Sequence, residues 1–194
     1  MSRLFLVKHA LPEIEPDVPA KMWQLGERGG AQSARLAEAL RPYRPSVVIS
    51  SAEPKAAETG RIIAETLDSP YSTAPDLHEN DREGLPYFTD FSDLEAAIRE
   101  FFDNPESRVI GRESAYEARQ RFMTALGRAL RPHPDQDVVI VAHGTVNTLF
   151  VTAHNPLEPL ALWQSWQLGT FALLSCPGLS RPDYTLLEPP RPLE

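Results

Sequence analysis

Leu4-Phe5-Leu6-Val7-Lys8-His9-Ala10 is an apolar run that ends abruptly in a cation and an imidazole. Four consecutive apolar residues without alternation describe a strand buried on both faces, as inside a parallel sheet. Lys8 and His9 then stand at the carboxyl end of that strand, the rim on which open α/β sheets bind ligands. The pattern returns at Val138-Val139-Ile140-Val141-Ala142-His143-Gly144. Either stretch alone is a strand with a polar residue after it. Together they predict a sheet that brings two histidines to one rim.

Between and beyond these strands the sequence alternates. A loop with Pro12, Pro16 and Pro19 cannot be helical. A helix is expected near Arg28 to Arg41, then a strand at Val47-Val48-Ile49 and a helix capped by Ser51 with Pro54 in its first turn. Ala56, Gly60, Ile63 and Leu67 form the buried stripe of that helix. Lys55 lies near its N-terminus, where the helix dipole disfavours a cation. Glu53 and Glu58 are the local carboxylates that could offset the charge. Alternatively, Lys55 is an anion ligand on the histidine rim.

Tyr71-Ser72-Thr73 reads as an edge strand. Ser92-Asp93-Leu94-Glu95 and Ser114-Ala115-Tyr116-Glu117 both match a capping box. The second opens a helix to about Leu130, with Ala118, Phe122, Ala125 and Ala129 inward. Gly144 permits a tight turn into a helix near Val146 to Ala153. One short helix fits within Pro156 to Trp166, and Phe171-Leu174 and Tyr184-Leu187 read as strands. Alternating strands and helices predict a three-layer α/β/α sandwich with a mostly parallel central sheet. The expectation is one domain over 1–194, with 76–112 forming a helical lid insertion over the rim.

A net charge of −8 without a basic run argues against a nucleic-acid partner. It leaves room for a small anion held in a local positive pocket. One cysteine, Cys176, excludes an internal disulfide and fits a reducing compartment. The apolar run before Lys8 is too short for a signal-peptide core, and no stretch has the length of a membrane span. The expectation is a cytoplasmic protein with no membrane or nucleic-acid partner. No metal-ligand spacing occurs, so neither metal nor cofactor is expected. Oligomeric state has no sequence signal.

Two histidines, two lysines and a carboxylate suit phosphoryl transfer. A neutral imidazole is a nucleophile, and nearby cations keep it neutral. Lysines and helix N-termini hold phosphate oxygens, and a carboxyl group in a partly dry loop protonates the departing alcohol.

The motifs resemble those of the histidine phosphatase superfamily, the phosphoglycerate mutase-like proteins. Leu6-Val7-Lys8-His9-Ala10 is similar to its Leu-Val-Arg-His-Gly signature. Ser50 to Thr59 resembles its Ser-Ser-x-x-x-Arg-Ala-x-x-Thr segment, and Leu77-His78-Glu79 its Leu-x-Glu element. Ala142-His143-Gly144 resembles the second His-Gly, and Gly111-Arg112-Glu113-Ser114 a Gly-Glu-Ser stretch with Arg112 intervening. The resemblance implies His9 as phosphoryl-accepting nucleophile, Glu79 as proton donor and His143 as the second histidine, on the phosphoryl group. It places Lys8 and Lys55 as phosphate ligands. Asp81 and Glu83 are rivals to Glu79; Ser51 and Thr59 are either supports for Lys55 or a cap and a helix-surface residue. His78 reads as a bystander, and Arg112 reads first as solvated and otherwise as reaching substrate.

The departures are chemical. Both family arginines are lysines here, so a two-pronged grip becomes a point charge. One charge-assisted hydrogen bond contributes about 1.5–3 kcal/mol, which corresponds to roughly 10- to 150-fold in rate per site. Ala10 replaces a glycine. The function implied is a metal-independent phosphomonoester hydrolase acting on a small phosphorylated substrate through phosphohistidine, with a phosphoprotein substrate left open. The alternative is a weak or inactive binder of phosphorylated ligands. A mutase ranks third, since the lid carries only Arg82, Arg99, Arg108 and Arg112 for a second phosphate. Pro86, Tyr87, Phe88 and Phe91 read first as lid packing, and otherwise as a seat for an apolar substrate group.

Overall fold

A computed structural model describes residues 2–83, 88–176 and 184–191. Pro86 and Tyr87 lie outside these residues. The order is β1 (Ser2–Lys8), α1 (Glu27–Leu40), β2 (Val47–Ser51), α2 (Pro54–Leu67), β3 (Tyr71–Ala74), α3 (Phe91–Asp103), α4 (Ala115–Leu130), β4 (Val138–Ala142), α5 (Gly144–His154), α6 (Pro159–Ser165), β5 (Thr170–Cys176) and β6 (Leu186–Glu188), with short 3-10 turns at Ala20–Met22 and Arg41–Tyr43.

The six strands form one sheet in the order β3-β2-β4-β1-β5-β6. β1, β2, β3 and β4 pair in parallel, while β5 runs antiparallel to β1 and β6 antiparallel to β5. The expected α/β class with a mostly parallel sheet is therefore the observed one. Alternate strand residues feed two cores, because successive side chains point to opposite faces. Leu4, Leu6, Ile140 and Ala142 pack with Phe122 and Leu126 of α4 and Val146 and Phe150 of α5. Phe5, Val7, Val139 and Val141 pack with Leu36 and Leu40 of α1 and Ala56 and Ile63 of α2. A third cluster joins Ile98 and Phe101 of α3 to Ala118, Leu149 and Trp163. Among the described residues no helix is long and apolar enough to cross a membrane.

Two caps differ from expectation. Helix α3 begins at Phe91, and its N-cap is Asp90, which accepts from the Ser92 amide at 2.8 Å. A carboxylate two residues earlier thus takes the amide that the Ser92 box would have served. Ser51 does not cap α2: β2 extends through Ser51, and Glu53 is the N-cap, with no side-chain bond to the helix's own amides. The second box forms as expected, with Ser114 Oγ accepting from Glu117 N at 3.2 Å and Glu117 Oε2 accepting from Ser114 N at 2.8 Å.

Candidate active site

The β1–β4 register pairs Lys8 with Ala142, so His9 and His143 are the next residues on neighbouring parallel strands. Their rings meet with centroids 5.2 Å apart at 62°. Both are buried. His9 Nδ1 lies 2.8 Å from the carbonyl oxygen of its neighbour Ala10. A carbonyl only accepts, so Nδ1 carries the proton and Nε2 keeps its lone pair. Burial, the His143 ring and Lys55 push the His9 pKa well below the ordinary imidazole value. The ring is neutral at physiological pH.

His143 is the N-cap residue of α5. Its Nε2 is 3.0 Å from Ser51 Oγ, the true position of the serine expected as a cap. Its Nδ1 is buried without a hydrogen-bond partner among the described residues, 3.8 Å from Glu53 Oε2. Burial and then Lys55 hold the His143 pKa well below normal, with Glu79 opposing.

Lys55 is only 5% exposed. Its backbone amide donates to the Trp23 carbonyl at 3.0 Å. Its Nζ donates to the Ala20 carbonyl at 2.6 Å and to Glu53 Oε2 at 2.5 Å. The lysine is thus a buried ion-pair member and not a solvated side chain, with Glu53 as its partner; Glu58 instead accepts from Leu25 N at 3.0 Å. Thr59 is a support: Oγ1 accepts from Ala10 N at 3.0 Å and donates to the Lys55 carbonyl at 2.7 Å. Lys8 is partly buried, and its Nζ donates to the Trp166 carbonyl at 2.9 Å. Burial brings the Lys8 pKa down to about 8, with Glu79 opposing and Arg82 assisting.

Glu79 reaches the site from the loop after β3, anchored by the fully buried Leu77. Its carboxylate sits on the N-terminus of α5, accepting from Thr145 N and Val146 N at 3.1 Å each. Burial alone would raise its pKa. Arg82, His143 and the backbone amides outweigh burial and hold it below the ordinary value. Arg121 of α4 fixes the loop, donating to the carbonyls of Asp76, His78 and Glu79 at 2.8, 3.0 and 3.2 Å. Glu113 holds Arg121 at 2.5 Å and accepts from Asp81 N at 2.9 Å.

The rival carboxylates are occupied elsewhere. Asp81 Oδ1 accepts from Glu83 N at 2.9 Å, and Glu83 pairs with Lys21 and Arg112 at 3.1 Å each. Arg112 is exposed, as expected, while Arg99 and Arg108 pair with Glu95 and Glu117. Of the four arginines in the 76–112 span, Arg82 alone reaches the cluster, donating to Thr145 Oγ1 at 3.1 Å and lying 3.8 Å from Glu79. Phe91 is exposed and stacks on Trp163 at 5.9 Å. The residues that sequence reasoning did not place here are Glu53 and Arg82. Glu53 had one signal, its position two residues before a lysine at a helix start.

The arrangement is a rim cluster of two neutral imidazoles, three cations and two carboxylates, suited to holding a tetrahedral anion beside a nucleophilic nitrogen. The Bacillus subtilis (strain 168) protein named "Uncharacterized phosphatase PhoE" is 28% identical over 138 residues, covering 70% of this chain and 66% of that protein. The match therefore spans slightly less than two thirds of that relative. A mycobacterial glucosyl-3-phosphoglycerate phosphatase has a similar fold, with a TM-score of 0.78 at 19% identity over 98% of this chain and 99% of that one. So does a phosphoserine phosphatase from Entamoeba histolytica solved with 3-phosphoglyceric acid, at TM-score 0.74 and 16% identity over 97% and 96% of the two chains. The model of the histidine phosphatase superfamily (branch 1) matches residues 5–176, so a chain whose rim joins two histidines in this way belongs to that superfamily.

Proposed function

We propose that this chain is a metal-independent phosphomonoester hydrolase that works through a phosphohistidine on His9. The observation that carries the reading is the tautomer. The Ala10 carbonyl holds the Nδ1 proton and leaves Nε2 as the free base, 5.2 Å ring to ring from His143. The Nε2 lone pair attacks phosphorus and the P–O bond to the ester oxygen breaks. That oxygen takes a proton from Glu79. Water then attacks the phosphohistidine, returning a proton to Glu79, and the P–N bond breaks to release phosphate and neutral His9.

Lys8, Lys55 and His143 stabilise the charge on the transferring oxygens. Glu79 is ionised in its present setting, and an anionic phosphoryl group beside it raises its pKa towards the protonated form that the first step uses. In this reading the described parts of the 76–112 segment, 76–83 and 88–112, serve as the lid over the rim. The substrate class is a small phosphate ester, with glucosyl-3-phosphoglycerate and phosphoserine as the first compounds to assay because the similar proteins are named for them.

Mixing with radiolabelled phosphate ester and quenching should trap acid-labile label on His9, absent from His9→Ala. Hydrolysis that persists at full rate in His9→Ala overturns the reading. A second reading, a binder of phosphorylated ligands without turnover, is favoured by one observation: both lysine ammoniums are already engaged, by Glu53 and by the Trp166 carbonyl. Binding of phosphate esters without phosphate release would select it.

A further inference from the structure

Glu53 puts a negative charge where a phosphate site gains from having none. Its side chain is 10% exposed and its carboxylate is divided between two tasks. Oε2 takes the Lys55 ammonium at 2.5 Å and lies 3.8 Å from His143 Nδ1. Oε1 accepts from the Glu79 amide at 3.1 Å. His143 Nδ1 is buried with no hydrogen-bond partner among the described residues. An ammonium and an imidazole nitrogen therefore border one carboxylate oxygen. Two oxygens of a tetrahedral anion would use the same two groups.

We propose that Glu53 is a built-in competitor for the phosphoryl group. Its carboxylate holds Lys55 until an incoming phosphoryl oxygen takes the ammonium over, and the displaced carboxylate then releases the Glu79 amide. Glu53 is a positioning residue in this scheme and touches no substrate. The inference rests on the hydrolase reading for where the phosphoryl group lies. It adds the regulation of that site: affinity is set by exchange of one anion for another, and arrival of the phosphoryl group is coupled to the loop that carries the acid. A fixed counter-ion would behave differently, because its removal would leave Lys55 disordered and weaken phosphate binding.

The test is calorimetric titration of inorganic orthophosphate into wild type, Glu53→Gln and Glu53→Asp at neutral pH, with thermal melts to establish that each is folded. Removing a like charge a few ångströms from the bound dianion should tighten binding about tenfold or more in Glu53→Gln. Glu53→Asp keeps the charge but shortens its reach, and should give a smaller gain in the same direction. In a Lys55→Met background the gain from Glu53→Gln should fall below about threefold, since there is no ammonium to release. Unchanged or weaker phosphate binding in folded Glu53→Gln or Glu53→Asp overturns the proposal, as does failure of wild type and both variants to bind phosphate. Acid-labile label on His9 reports separately on the hydrolase. Labelling with no change in phosphate affinity sinks the Glu53 proposal alone, and tightened phosphate binding without labelling sinks the phosphohistidine step alone.

Discussion

Lys8 and Trp166, 158 residues apart in sequence, meet through a 2.9 Å hydrogen bond from the ammonium to the carbonyl oxygen. The bond fixes a cation beside His9 in surroundings that weaken its hold on its proton. With the folded pKa lowered from 10.5 to about 8, the unfolded chain binds more protons across that window. Stability should therefore rise as pH increases from about 8 to 10.5, while phosphate binding weakens as the ammonium is lost. Melting curves and inhibition by phosphate, measured over this range, should show opposite slopes. Both slopes should flatten in Lys8→Met.

Replacing Glu79 by glutamine should separate substrates by leaving group. Alkyl phosphates need a proton on the departing oxygen and should lose about 10²–10⁴-fold in kcat. p-Nitrophenyl phosphate, whose leaving group is already stable as an anion, should lose far less. Equal losses on both substrates would assign the acid to another group. Because the Glu79 pKa is held below its ordinary value, its contribution to stability is present above that value and disappears as pH falls through the folded pKa.

Gly144 lies against the end of Lys8: a Cβ there would stand 3.3 Å from both Cε and Nζ. Those atoms are the flexible tip of a side chain, so Gly144→Ala should leave the melting temperature nearly unchanged. The ammonium must shift by a few tenths of an ångström, at the expense of about one hydrogen bond to a bound phosphoryl oxygen. The KM for phosphate esters should rise about two- to tenfold, matching roughly 0.5–1.5 kcal/mol.

Arg121 joins α4 to the acid loop through three carbonyls and to the largely buried Glu113. Arg121→Leu strands that carboxylate and should destabilise the fold by about 3–5 kcal/mol in urea titration. Arg121→Lys keeps a charge for Glu113 without the fork that reaches all three carbonyls. It should recover most of the stability but less of kcat, since the Glu79 backbone is then held less firmly.

The placement of Lys8, His9 and His143 was legible because each ends or follows a strand whose burial shows as an uninterrupted apolar run. Lys55 was legible as an anomaly, a cation near the wrong end of a helix. Glu53 was not, because Ala52-Glu53-Pro54-Lys55 reads equally well as a local surface pair. Only the fold, by closing Trp23 and Ala20 over Lys55, buries them together. Ser51 and Ser92 misled in the same manner. Serine before a helical stripe is a cap only if no other group reaches the amide first and no longer strand absorbs it. At Ser92 the Asp90 side chain arrives first, and at Ser51 the sheet continues.

β1 lies between β4 and β5, so the first of the six strands in chain order takes both of its neighbours from strands that come much later in the sequence. A nascent polypeptide lacks a central strand partner for Ser2–Lys8 until β4 has emerged, and lacks the second until Cys176 has. Closing such distant pairings comes late in folding and makes it slow. Chains that stall before that point carry an exposed hydrophobic strand with two unpaired edges, the kind of intermediate that aggregates.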